Sequence, residues 1–153
     1  MKHIFVTMLA AVFALVSGTA LAAGYGKQKV VYHVNYDDPR QQAGAMRNIQ
    51  NHINAVGAEN LEVRVVMHGN GLSLLLSPEA GAHLEKFKSG NADQKMTPRI
   101  DSLRNQGVKF NTVRGRKVDI AGDLHYVSEE DIVPSGVAEL SHLQQQGFTY
   151  IKP

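Results

Sequence analysis

From residue 28 onward, apolar positions fall into short β-type runs separated by segments of helical period. Val30, Val31, Tyr32, His33 and Val34 form a β-branched and aromatic run, suited to a pleated, half-buried strand. Asp37, Asp38 and Pro39 follow it. An aspartate accepts from orphan amides at a helix start and proline fits the first turn, so they predict a helix N-terminus. Ala43, Met46, Ile49, Ile53 and Val56 recur at spacings of three and four, which places them on one helical face. Gly57 is expected to end that helix.

Residues 61–67 begin with strict alternation, Leu61, Val63 and Val65 against Glu62 and Arg64. The pattern predicts a strand with one face partly solvated at its start and both faces covered near Val66 and Met67. Ser77-Pro78-Glu79 and Thr97-Pro98 each predict a short capped helix, burying Leu84 and Phe87 in the first and Ile100 and Leu103 in the second. Residues 108–113 read as a third strand, and Ile132-Val133 as a fourth. Ser128 and Asp131 have capping-box spacing. Ser135 caps a helix carrying Val137, Leu140 and Leu143, Gly147 stops it, and residues 148–151 form a fifth strand. Strands alternating with helices predict an α/β fold: a three-layer sandwich with a mostly parallel five-stranded sheet, flavodoxin-like in kind.

The first 22 residues stand apart. Lys2 and His3 precede an apolar run over residues 4–16, and Ala20-Leu21-Ala22 offers a small-x-small cleavage site. The run is shorter than the roughly 20 residues a membrane span needs, so an export signal is expected rather than an anchor. Residues 23–153 then form one domain, with a periplasmic location and no membrane contact after cleavage. The chain has 153 residues, a net charge of +2 and no cysteine. That excludes disulfides, thiolate metal sites and cysteine nucleophiles within the protein. The charge is too small to argue for nucleic acid. Arg114-Gly115-Arg116-Lys117 is a basic cluster without an aromatic platform, better suited to a solvated or intersubunit face.

In open α/β sheets, ligands sit beyond the carboxyl ends of the strands. That rule selects Asn35 after the first strand, and His68, Gly69, Asn70 and Gly71 after the second. It also selects Asn111, Thr112 and Arg114 at the end of the third, and residues 134–136 after the fourth. Together these offer donors for a small anion or polar ligand. The two glycines lack the rest of any dinucleotide or phosphate-loop motif, so they form either a tight turn or a direct ligand contact. Parallel pairing of the first two strands brings His33 near His68. Two imidazoles are half a metal site, with no carboxylate at suitable spacing to complete it, so no metal and no cofactor are expected. Asp37 and Asp38 are explained by capping. No nucleophile elbow is present, so no catalytic residue is assigned.

These residues resemble the DsrE/DsrF-like family of small α/β proteins associated with sulfur relay and oxidation. The resemblance runs from Lys29 to Pro153. It rests on residues 30–35 with the Asp37-Asp38 helix start, on residues 65–72, on residues 107–110, and on residues 133–140 with 147–153. It implies a sulfur-linked function and homo-oligomers, trimers or hexamers. Family members that move sulfur carry it on a cysteine just after the third strand. Here residues 111–116 look like the run that follows that cysteine, with the cysteine itself missing. Threonine cannot replace it, because its hydroxyl neither ionises near neutrality nor forms a persulfide. Two expectations follow: an exported domain that binds a small polar or sulfur-containing ligand without covalent chemistry, or an oligomeric partner-binding subunit with a vestigial pocket.

Overall fold

The computed structural model describes residues 24–82, 84, 87, 89–113 and 132–153. The expected signal segment, the Ser128–Asp131 cap and Arg114 lie outside the described residues. Strands β1 (Gln28–Val34), β2 (Leu61–Met67), β3 (Lys109–Val113), β4 (Ile132–Val133) and β5 (Thr149–Ile151) form one sheet in the order β4-β3-β2-β1-β5. Every pairing is parallel. β2 and β4 have the bounds the sequence predicts, β1 starts two residues earlier, and β3 and β5 each start one residue later.

Helix α1 (Pro39–Val56) follows β1, and Asp38 caps it by accepting from the Gln41 amide at 2.7 Å. Met46, Ile49, Ile53 and Val56 are buried as the period predicts. Ala43 is only partly buried, and the polar Gln42 is fully buried beside that stripe. Gln42 donates to the Tyr36 carbonyl at 2.7 Å and to Ser73 Oγ at 3.0 Å, and Asn91 donates to Gln42 Oε1 at 2.8 Å. A buried amide without partners would be costly. With them it ties the β1–α1 loop to the segments after β2 and before α3.

Helix α2 (Pro78–Ala82) is short, and Ser77 Oγ accepts from the Ala80 amide as a cap. Helix α3 (Thr97–Asn105) corrects one expectation: Thr97 lies inside the first turn and does not cap it. Asp93 does the local capping, accepting from the amides of Lys95 and Met96 at 2.9 and 2.8 Å. Helix α4 (Gly136–Gln145) is capped by Ser135, whose hydroxyl accepts from the Ala138 amide.

The sheet has two unlike faces. Val30, Tyr32, Val34, Val63, Val65, Met67 and Phe110 pack with α1 and α3 residues into the main core. On the other face Val31 and Val66 meet Leu140 and Leu143 of α4 and Phe148 in a smaller cluster. Helices therefore cover both faces, and the fold is a three-layer α/β sandwich. Because side chains alternate along a strand, His33 shares the α4 face with Val31.

A tight 3-10 segment (Gly69–Leu75) follows β2, and its Leu74 and Leu75 are fully buried. The two glycines in its first turn do different things. Gly69 has φ +59° with open space where a Cβ would stand. Gly71 has an ordinary φ, but a Cβ there would run into the Val34 carbonyl and sit 3.0 Å from the Asn35 Cα. Gly71 thus lets this segment sit against the end of β1.

Candidate functional site

The strand order steps from β1 to β4 in one direction and places β5 on the far side of β1. Ligand crevices in open parallel sheets open beyond the carboxyl ends at such a reversal. His33 stands there, one residue before the end of β1, and is buried. His68 directly follows β2 and is half-buried. Their Nε2 atoms are 2.8 Å apart, with ring centroids at 4.7 Å and planes 29° apart. The proximity that parallel pairing predicts is therefore present.

On its other side, His33 Nδ1 lies 2.6 Å from the hydroxyl of Tyr150. Tyr150 is on β5, opposite Val31 in register, and is 40% exposed. A three-member array thus runs from solvent-facing Tyr150 through buried His33 to His68. Above it sits the start of α4: a Cβ on Gly136 would lie 2.8 Å from the Cβ of His68 and 3.0 Å from its Cδ2. Only a residue without a side chain lets the helix start come this close to the imidazole. The first amides of a helix have no intrahelical partners and face outward with the positive end of its dipole.

The environment keeps His33 neutral. Burial is the main cause, and the nearby positive charges of His68 and Lys152 add to it, lowering its pKa from the usual 6.5 to about 4. The folded state thus holds the neutral ring, while an unfolded chain takes a proton as pH falls below 6.5. Stability from this residue is complete above pH 6.5 and is lost as pH falls toward 4. Denaturant unfolding at pH 7 and pH 4.5 should differ by on the order of 1–2 kcal/mol from this residue, discounted because the His68 side is partly open to solvent. In His33→Gln that difference should shrink.

The other sequence-selected residues are distributed around this array. Asn111 is on β3, opposite Val66, in the row that crosses the sheet from His33 through Val66. It is 4% exposed, and its Oδ1 has no hydrogen-bond partner. A buried acceptor left this way is uncommon and calls for an explanation such as a ligand or an ordered water. Thr112 is also fully buried with an unpartnered hydroxyl. By alternation it lies on the α1 and α3 face with Phe110, away from His33. Asn35 is half-buried beside Gly71 at the end of β1. Asn70 is exposed and donates to Asp37 Oδ2 at 3.4 Å. Gly69 and Gly71 set the path of the segment after His68.

Sequence reasoning missed Tyr150, Lys152 and the role of Gly136. The aromatic residue in a terminal strand looks like ordinary β composition, and its meeting with His33 spans 117 positions. Among the described residues, no group of three or more histidines, cysteines, aspartates or glutamates is placed to hold a metal ion. No helix among them is long and apolar enough to cross a membrane. The arrangement can offer imidazole nitrogens, helix-start amides and a buried amide oxygen to a small polar molecule; the chain has no cysteine for thiolate chemistry there.

No curated protein matches this sequence. The resemblance noted in the sequence holds at the level of the family: residues 28–153 match the DsrE/DsrF-like family, in agreement with the parallel five-stranded sandwich, and the chain belongs to that family.

Proposed function

We propose that this protein is an exported DsrE/DsrF-like domain that binds a small polar or sulfur-containing ligand non-covalently at the carboxyl edge of its sheet. The family ties the chain to sulfur metabolism, and the absence of cysteine removes the covalent route. The observation that carries the reading is the gathering of His68 against His33 and the start of α4, with the unpartnered Asn111 oxygen on the same face. An oxyanion suits the imidazole and the helix-start amides. A protonated oxygen or amine on the same ligand would satisfy Asn111. Export rests on the basic start, apolar run and small-residue site in residues 1–22.

Thermal unfolding in the presence of thiosulfate, sulfite, tetrathionate, phosphate or nucleotides tests the reading. At least one sulfur oxyanion should raise the transition temperature saturably; at a hundred times its Kd the gain is about 2.7 kcal/mol. No saturable rise with any of them would overturn it.

A second reading has its own support. Val137, on the first turn of α4, is 66% exposed, and among the described strands β5 stands at the edge of the sheet, beside β1. Open edges and exposed apolar side chains favour association. A homo-oligomer, trimer or hexamer, would cover them, and light scattering at micromolar concentration distinguishes it from a monomer.

A further inference from the structure

Helices α1 and α3 pack beside one another on the same face of the sheet and leave a groove of about 290 Å³ between them. Met46 and Leu103 line its floor and are each 2% exposed. Both belong to the main core, so the floor is apolar and firmly packed. Pro98 and Ser102 stand exposed on the α3 side. Arg47 comes from α1 and Arg99 from α3, and both are exposed.

One end of the groove is closed. Gln50 Nε2 donates to Gln106 Oε1 at 3.0 Å, and Gln106 Nε2 donates back to Gln50 Oε1 at 2.9 Å. This pair of amides bridges the two helices. Helix α1 links β1 to β2 and α3 leads into β3, and these strands are parallel, so the helices run the same way. Arg47 is about one turn before Gln50, and Arg99 about two turns before Gln106. Both arginines therefore stand on the same side of the bridge.

The charge here is unbalanced. Helix α1 carries Arg40 and Arg47 and no acidic residue. Among the described residues neither Arg47 nor Arg99 is in an ion pair, whereas Lys29 and Arg64 each reach Glu62 at 3.7 Å. Asp38, at the start of α1, is engaged in capping the Gln41 amide. Asp101 follows Arg99 by two residues on α3, a spacing at which helical side chains do not face each other.

We propose that the groove between α1 and α3 is a second binding site, for a small amphipathic anion whose apolar body lies on Met46 and Leu103 and whose carboxylate or sulfonate lies between Arg47 and Arg99. The planar guanidinium fork suits such head groups. The volume is close to the lower limit of the roughly 300–1,000 Å³ of ligand pockets, and the amide bridge blocks one end. A compact ligand therefore fits better than a partner segment running along the helices. His33 and Asn111 are on the α4 face, so this site stands apart from the carboxyl-edge site and does not rest on it.

Calorimetric titration with octanoate, octanesulfonate and octylammonium at low ionic strength tests this, with the Met46 methyl signal in carbon-13 NMR reporting the place. The three probes share a tail and differ in the head. Octanoate and octanesulfonate should bind saturably and shift the Met46 methyl signal, and octylammonium should bind about tenfold more weakly or less. Arg47→Gln and Arg99→Gln should each lower the octanoate affinity about fivefold to tenfold, and the double variant should lose the preference for an anionic head. Both side chains are exposed, so the fold should stay intact, which circular dichroism checks. No saturable octanoate binding overturns the proposal, as does equal affinity for octylammonium. An unmoved Met46 signal, or a head-group preference that survives the double substitution, overturns it too.

Discussion

Gly71→Ala should destabilise the protein by about 3 kcal/mol or more, and soluble folded protein should be hard to obtain. The added methyl group meets backbone, not a side chain that can turn away: the Val34 carbonyl and the Asn35 Cα occupy its place. Val34 is the last residue of β1, paired with Met67 of β2, and Asn35 directly follows it. Relief would require moving that strand end or the 3-10 segment, and the segment is anchored by buried Leu72, Leu74 and Leu75. Gly69→Ala is the control. There the space is open and only the φ of +59° opposes a side chain, so a cost of about 1 kcal/mol is expected. Comparable losses in the two variants by denaturant titration would contradict this assignment of roles.

Incubation of the protein with polysulfide, or with thiosulfate and a sulfur-donating enzyme, should leave its intact mass unchanged. A sulfur relay needs a thiolate to take the sulfane sulfur and a persulfide for the next thiol to attack. The chain has five methionines and no cysteine, and thioethers do not undergo that exchange. His33 and His68 can hydrogen-bond to a sulfur species but cannot carry it as a persulfide. The expected difference from a cysteine-bearing relative is total: one added sulfur per chain there, none here. A stable adduct of one sulfur mass would refute the non-covalent reading.

The sheet was legible because its strands carry the signature of their burial. The alternation from Leu61 to Val65 predicts a strand at the bounds the structure shows, and its apolar close at Val66 and Met67 predicts cover on both faces. Capping chemistry located α1 and α4 through Asp38 and Ser135. It misplaced the start of α3, because Asp93 reaches the amides of Lys95 and Met96 from upstream of the threonine that matched the pattern. Gln42 was invisible to a reading based on apolar period, since its burial depends on Ser73 and Asn91 arriving from distant segments.

The candidate site was half legible. Parallel pairing of adjacent strands is enough to bring His33 to His68, and strand-end logic is enough to select Asn111. Tyr150 was out of reach, because β5 joins β1 only after α4 has carried the chain across the sheet. In the sequence the glycines after β2 can be compared only with phosphate-binding patterns, whereas close approach decides both Gly71 and Gly136. Composition shows that a position lacks a Cβ; it does not show which backbone or imidazole comes to fill the space.

The most direct measurement is a calorimetric titration of the folded wild type and His68→Ala with thiosulfate or sulfite at low ionic strength. Saturable binding is expected in the wild type, weakened by about 1–3 kcal/mol in His68→Ala, the range for losing a hydrogen bond to a charged group. Circular dichroism should show the fold intact in the variant, because His68 is only partly buried and lies just beyond β2. Absence of saturable binding in the wild type, or equal affinity in the two proteins, would contradict a ligand site at His68.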